Sequence, residues 1–289
     1  MNIFIAGGTG TLGNELTRQL VDSHNITIFS RDELKQQDMR RRYPKAQFII
    51  GNIRSPHDVE SALTRTRPDV VFHVAALKQI DTCEANPDQC IETNILGTLT
   101  LARACVADGV PHMAFSSSDK ACLPINIYGQ SKAVSERYLF QMNQIQHRTR
   151  FAVFRWGNVI GSRGSAIPFF VECLRSGRPV PITHEDMTRF WIPISAAARF
   201  FFEHHDCSSL DTPMFPEMKA ASVVRVVEAL ANLIGVKKYN IEMTGIRPGE
   251  KIHETIFSSH EGCCRSDTAA HFGDAELEDL LAPFVKGTK

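Results

Sequence analysis

The chain has 289 residues, enough for one large domain or one and a half, and its 32 basic and 32 acidic side chains balance to zero formal charge. That excludes a global field for nucleic acid or an anionic membrane, and no apolar run approaches the roughly 20 residues that cross a bilayer. The amino terminus enters a strand directly, without a secretory-signal layout, and the eight cysteines hold no Cys-x-x-Cys pair, so they read as reduced thiols of a cytoplasmic protein.

In chain order, residues 1–6 (Met-Asn-Ile-Phe-Ile-Ala) read as a short buried strand running into Gly7-Gly8-Thr9-Gly10-Thr11-Leu12-Gly13 and then a helix. The pattern is Gly-x-x-Gly-x-x-Gly. Gly7 turns the chain, Gly10 admits a pyrophosphate close to the backbone, and Gly13 lets the helix pack tightly on the sheet. With a strand before and a helix after, this is a dinucleotide site, and the helix N-terminus presents amides and a positive dipole end to phosphates. The second strand, 25–29, ends in Ser30-Arg31-Asp32-Glu33. A hydroxyl and a guanidinium suit a 2′-phosphate and favour NADP, while Asp32 is close enough to keep NAD open. Arg40-Arg41-Arg42 reads as a solvated helix end.

Further strands are expected at 48–53, 69–73, 113–116 and 150–155, alternating with helices at 56–66, 87–109 and 128–146. This alternation requires a parallel sheet, an α/β fold of the Rossmann-type doubly wound kind. Beyond about 158 the spacing loosens, so the chain divides into a dinucleotide-binding domain at 1–157, to which some later segments return, and a smaller ligand lobe at 158–289. The eleven histidines show no HExxH or other metal spacing, and no metal is expected.

The most telling stretch is Ser118-Asp119-Lys120 followed by Tyr128-Gly-Gln-Ser-Lys132. The Tyr-x-x-x-Lys spacing places a phenol and an ammonium on one helix face. A nearby ammonium favours the phenolate, which predicts a Tyr128 pKa drawn down from about 10 toward neutrality. Such a group accepts a proton from an alcohol while hydride leaves the same carbon. Asp119-Lys120 is either a further acid and base or a surface ion pair at a strand end.

These motifs resemble the extended short-chain dehydrogenase/reductase superfamily. Within it, Ser30–Lys35, His73-Val-Ala-Ala-Leu-Lys78, Cys83-Glu-Ala-Asn-Pro87, Thr93-Asn-Ile-Leu-Gly-Thr98, Ser118-Asp-Lys-Ala121, Gly157–Ser165, Met187-Thr-Arg-Phe-Trp191 and Ile246-Arg-Pro-Gly-Glu-Lys251 are similar to the UDP-N-acetylglucosamine 4,6-dehydratases. The likeness runs from residue 1 to about 257. It departs at Asn52, where Asp is usual beside the adenine, at Ser118, which replaces Thr, at Trp156, which replaces Tyr, and in the tail beyond Phe257.

The resemblance implies an NADP(H)-dependent lyase of UDP-sugars that recycles its nicotinamide. Tyr128 would take the C4 hydroxyl proton, with Ser118 positioning that hydroxyl and Lys132 tuning Tyr128. Lys120 would act at C5 and Asp119 at the C6 oxygen. The cofactor set comprises Gly7, Thr9, Gly10, Thr11, Leu12, Gly13, Ser30, Arg31, Asn52, Ile53, Ala75, Ala76, Lys78, Tyr128 and Lys132. Lys78, Asn158, Arg189, Arg247 and Glu250 would hold the substrate, with the two arginines as pyrophosphate clamps. Phe190 and Trp191 read as core. A homo-oligomer is expected, pairing through the helices near 90–108 and 128–146. The alternatives are a sugar-nucleotide 4-epimerase, which needs no Asp119-Lys120 pair, a 5,6-dehydratase, and a dinucleotide-sensing protein without turnover.

Overall fold

Ile3, Phe4, Ile5 and Ala6 form an uninterrupted apolar run, and all four are buried, as suits a central strand of a parallel sheet covered on both faces. The computed structural model describes residues 1–260 and 262–286, with the backbone alone at Lys286. Its first elements are β1 (Asn2–Ala6), α1 (Thr11–Leu20), β2 (Asn25–Ser30), α2 (Glu33–Arg42), β3 (Gln47–Ile50), α3 (Pro56–Thr66) and β4 (Val70–His73). Then come α4 (Ile80–Ala85), α5 (Pro87–Cys90), a π-helical turn (Ile91–Leu96), α6 (Gly97–Asp108), β5 (His112–Ser116), a 3-10 turn (Asp119–Ala121), α7 (Ile127–Ile145) and β6 (Arg150–Phe154).

The six strands pair in the order β3-β2-β1-β4-β5-β6 and every pairing is parallel. This is the expected Rossmann-type doubly wound sheet. Chain direction across the sheet reverses between β1 and β4, so the ligand crevice lies beyond their carboxyl ends. On one face Phe4, Phe29, Leu101, Phe115, Leu139 and Phe151 share a core.

The remaining elements are β7 (Asn158–Ile160), α8 (Ala166–Ser176), β8 (Val180–Ile182), β9 (Thr188–Pro193), α9 (Ile194–Glu203), β10 (Ala220–Ser222), α10 (Val223–Ile234), β11 (Ile241–Met243), β12 (Thr255–Ser258), β13 (Cys263–Arg265) and α11 (Asp274–Lys286). The chain divides into two compact units: residues 1–155 with 195–215, and 156–194 with 216–289. In the first, Phe201 of α9 packs edge-on against Phe72 and Phe154, with centroids 5.0 and 4.8 Å away. Met214 makes a parallel bridge to Phe154 at the β6 edge. In the second, β10-β9-β7 form a small sheet, and α8, α10 and α11 supply a separate core that includes Phe170, Trp191, Val226, Leu230 and Leu281.

Two local expectations change. The helix expected over 87–109 is three pieces, because a π-helical turn at Ile91–Leu96 interrupts it. The carbonyl of Asn94 accepts instead from the hydroxyls of Thr98 (2.6 Å) and Ser135 (2.9 Å). The third strand stops at Ile50, short of Ile53. There the chain turns at Ile53-Arg54, closed by the Ser55 amide on the Asn52 carbonyl at 2.9 Å, and the Asp58 carboxylate takes the Asn52 amide at 2.9 Å. Among the described residues no helix is long and apolar enough to cross a membrane.

Candidate active site

The glycine loop follows β1 at the sheet's reversal point. Gly7 has φ +82°, and a β-carbon there would lie 2.5 Å from the Cα of Ala75, which follows β4. A β-carbon on Gly13 would meet the backbone of Gly8 at 2.5 Å. Only glycine fits either position. Gly10 caps α1 without a side chain, and the first i−4 bond is Asn14 N–H to Gly10 O, 2.9 Å. Thr11, Leu12 and Gly13 thus form the opening turn, where a helix offers amides to phosphate. This backbone cradle, closed to any side chain, fits a dinucleotide pyrophosphate.

Of the other expected cofactor residues, Thr9, Ser30 and Ile53 are buried, Asn52, Ala75 and Ala76 are half-buried, and Arg31 and Lys78 are exposed. Ser30 is engaged from within, since the Gln36 amide donates to its hydroxyl at 3.0 Å and to its carbonyl at 3.1 Å. Asp32 caps α2: its carboxylate accepts from the Lys35 amide at 3.0 Å and pairs with the Lys35 ammonium. Arg40, Arg41 and Arg42 end α2, exposed as expected, where cations meet the negative end of the helix dipole.

The side chains expected to react come together beyond β5. Ser118 opens the 3-10 turn; its hydroxyl donates to Asp119 Oδ1 (3.0 Å), accepts from the Lys120 amide (3.2 Å) and hydrogen-bonds Tyr128. Lys120 Nζ reaches Asp119 Oδ1 at 3.1 Å. Asp119 is wholly buried, so this pair is no surface ion pair. Asn126 caps α7 through a 2.7 Å bond from the Gly129 amide. A β-carbon at Gly129 would lie 2.2 Å from the Lys120 carbonyl oxygen, so this glycine lets the turn carrying Asp119-Lys120 abut the turn carrying Tyr128. Lys132, one turn further, donates to the Ser116 carbonyl at 2.8 Å and lies over the Phe115 ring at 4.5 Å.

Tyr128 corrects the predicted titration. Burial pushes its pKa up to about 12; the Ser118 hydrogen bond and the Lys120 charge oppose that only in part. The ammonium that lowers it is that of Lys120, and desolvation of the phenolate outweighs it. Burial also lowers Lys132 to about 8, with Glu136 opposing. His73, at the end of β4, is fully buried and falls to about 3, again through burial, with Lys132 acting in the same sense.

The site also contains residues that the sequence did not single out. Glu136, four residues after Lys132, is buried, accepts from Arg155 at 2.9 and 2.7 Å and from Ser117 at 2.5 Å. The one available signal was its i+4 spacing from Lys132. Asn94, in the π turn, brackets Leu77 by accepting from its amide and donating to its carbonyl, both at 2.9 Å, and donates to Ser131 Oγ at 3.0 Å.

In the second unit, Asn158 is half-buried on β7, and Arg247 and Glu250 share a turn closed by the Glu250 amide on the Arg247 carbonyl at 3.1 Å. Arg247 is exposed. Arg189, expected as the second clamp, is held from within its own unit. It is buried, and its guanidinium donates to the carbonyls of Thr188, Ile252 and Lys251 at 2.7, 2.9 and 2.9 Å, with Glu254 4.0 Å from Nε. Those bonds fasten β9 to residues 251–252. Phe190 and Trp191 are core, as read from the sequence. Among the described residues no cluster of side chains is arranged to hold a metal ion.

A family model described as polysaccharide biosynthesis protein matches residues 3–273. The chain belongs to this family. Among its relatives, the UDP-N-acetylglucosamine 4,6-dehydratase (inverting) of Campylobacter jejuni subsp. jejuni serotype O:2 is 38% identical over 90% of this chain and 78% of its own. The UDP-glucose 4-epimerase of Rickettsia canadensis is 35% identical over 99% of this chain and 87% of its own. The X-ray structure of Pen from Bacillus thuringiensis superposes with a TM-score of 0.89 at 29% identity, covering 98% of this chain and 97% of that one. Membership in the polysaccharide biosynthesis family thus spans both units.

Proposed function

We propose that this protein is a UDP-N-acetylglucosamine 4,6-dehydratase, yielding a UDP-4-keto-6-deoxy-hexosamine derivative, with NADP as its recycled cofactor. The observation that carries the reading is the wholly buried Asp119 paired with Lys120 and joined through Ser118 to Tyr128. Oxidation at C4 alone needs Tyr128, Ser118 and Lys132; a second acid and base in the same turn are needed only for elimination.

The glycine loop would hold the dinucleotide, with Arg31 beside the adenosine 2′ position. A bound nicotinamide would supply the hydride acceptor for C4 and the hydride donor for C6. Tyr128 takes the C4 hydroxyl proton, with Ser118 fixing that hydroxyl. The 4-ketone acidifies the C5 proton, and Lys120, having passed its own proton to the Asp119 carboxylate it bonds, removes it as the free amine. Asp119 gives the proton it received to the departing C6 hydroxyl, so water leaves, and the Lys120 ammonium returns its proton to C5. With the Ser118 hydrogen bond and the Lys120 charge already lowering it, Tyr128 still sits near 12, so its proton transfer depends on the bound substrate hydroxyl. Arg247 would meet the diphosphate, Glu250 the uridine ribose, and Asn158 the diphosphate or N-acetyl group. A cytoplasmic homo-oligomer pairing through α6 and α7 completes the proposal.

The Rickettsia relative favours a second reading, a 4-epimerase, under which Asp119 and Lys120 only shape the pocket. Proton NMR of the protein with UDP-N-acetylglucosamine in deuterated water separates the two. A C6 methyl signal with deuterium at C5 establishes the dehydratase. Ring couplings of a C4 epimer without a methyl signal establish the epimerase, and unchanged substrate with NADP and NAD supplied refutes both.

A further inference from the structure

Arg54 lies in the loop after β3, far in sequence from the reacting residues, yet its side chain is spent on the helix that borders them. Its Nε and Nη2 donate to Thr93 Oγ1 at 3.0 and 2.6 Å, and Nη1 donates to Gln89 Oε1 at 2.8 Å and Glu92 Oε2 at 2.7 Å. Nη2 also reaches the Gln89 carbonyl at 3.2 Å. One guanidinium therefore grips α5 and the π turn on three successive polar positions. A planar fork of five donors is the side chain that can do so without rearrangement.

What it grips is costly to form and leads to the site. A π turn is a strained interruption of an α-helix and persists where its surroundings hold it. Thr93 precedes Asn94, whose side chain fixes both the amide and the carbonyl of Leu77 and donates to Ser131 Oγ. The Ser131 hydroxyl in turn donates to the Tyr128 carbonyl at 2.7 Å. On its other side, the Arg54 amide donates to Asn52 Oδ1 at 3.1 Å, which ties the guanidinium's own loop to the cofactor side. Asn94 thus stands between the loop of Ala75, Ala76 and Lys78 and the first turns of α7.

We infer that Arg54 is a positioning residue: by clamping Thr93 it holds the π turn in the register that lets Asn94 align the 75–78 loop with Tyr128 and Lys132. The inference rests on the catalytic roles proposed above for Tyr128 and Lys132. Arg54 touches none of the reacting atoms, so its loss acts on geometry, where a displacement of about 1 Å can cost on the order of 100-fold in rate.

The test compares native protein with Arg54→Met, Thr93→Val and Thr93→Ser, the last keeping the acceptor hydroxyl. Hydrogen exchange is read on peptides spanning residues 75–79 and 128–135, and kcat and KM are measured with UDP-N-acetylglucosamine. Arg54→Met and Thr93→Val are expected to expose the Leu77 amide to exchange and to lower kcat by about 10- to 100-fold with KM unchanged. Their combination should be no worse than either alone, and Thr93→Ser should match native protein. Unchanged exchange at Leu77 in Thr93→Val would overturn the inference. So would exchange that rises equally in the β5 peptide, because Arg54 would then be a general prop for the fold. If native protein turns over no sugar nucleotide, the proposed function fails, and the exchange comparison alone decides the role of Arg54.

Discussion

Replacing His73 with asparagine should remove a large part of this protein's sensitivity to acid. The imidazole at the end of β4 is completely buried, with Nε2 2.8 Å from Thr98 Oγ1 and a pKa lowered to about 3 by burial. Unfolded, it titrates near its ordinary 6.5. Between those values the unfolded chain binds a proton that the folded chain refuses, so stability falls as pH falls through this window and is fully present above it. One proton corresponds to about 1.4 kcal/mol per pH unit, or roughly 2 kcal/mol lost between pH 6.5 and 5. Asparagine keeps a hydrogen-bonding group for Thr98 but does not titrate. Urea unfolding at pH 7, 6 and 5 should show native protein losing about 2 kcal/mol more than His73→Asn over that range. Burial also lowers His24 and His112, but those contributions are common to both proteins and cancel. Parallel stability profiles would refute the reasoning, because they would mean that His73 charges freely in the folded state.

Tyr128→Phe should cut kcat on the order of 100- to 10,000-fold, the usual worth of a positioned acid–base group, with the sugar nucleotide still bound in a fluorescence titration. Asp119→Asn should leave C4 oxidation in place and block elimination, so that a single turnover shows nicotinamide reduction at 340 nm without a C6 methyl product; Lys120→Met also removes the charge that lowers Tyr128 and should slow C4 oxidation as well. Gly129→Ala forces a β-carbon to within 2.2 Å of the Lys120 carbonyl; displacing that turn should lower kcat more than it raises KM. Arg189→Met leaves three carbonyls, one buried and two half-buried, without their donor and should destabilise the fold by about 1–3 kcal/mol, with KM for the UDP-sugar unchanged. A raised KM at full stability would restore the clamp reading of Arg189.

What could be read in the sequence was what spacing encodes. Gly7, Gly10 and Gly13 declare the phosphate loop because each answers a local steric demand, and the alternation of apolar runs declares the parallel sheet. Tyr128 and Lys132 share a helix face for the same reason. Burial is not encoded by spacing. The titration of Tyr128 went the other way because the environment of the phenol is set by elements far along the chain. Arg189 shows a similar limit: guanidinium chemistry suits phosphate, but its partners here are carbonyls 62 and 63 residues further on. Arg155 and Glu136, 19 residues apart, and Arg54 with Thr93, 39 apart, carry no local pattern that would join them. The break in the helix over 87–109 was hidden as well, since Asn94 looks like any polar helix residue until its carbonyl is seen accepting two hydroxyls.

The return of residues 195–215 to the first unit has a practical consequence for anyone dissecting this chain. A fragment ending near residue 157 would carry all six strands of the large sheet and every proposed catalytic side chain. It would lack Phe201, whose ring covers Phe72 and Phe154, and Met214, which occupies part of the β6 edge. Such a fragment presents an uncovered aromatic face beside an open strand edge, the combination that drives sheets to join one another. During synthesis the same exposure lasts until about 60 further residues have emerged, which makes the nascent first unit a natural client for chaperones that recognise bare aromatic surface.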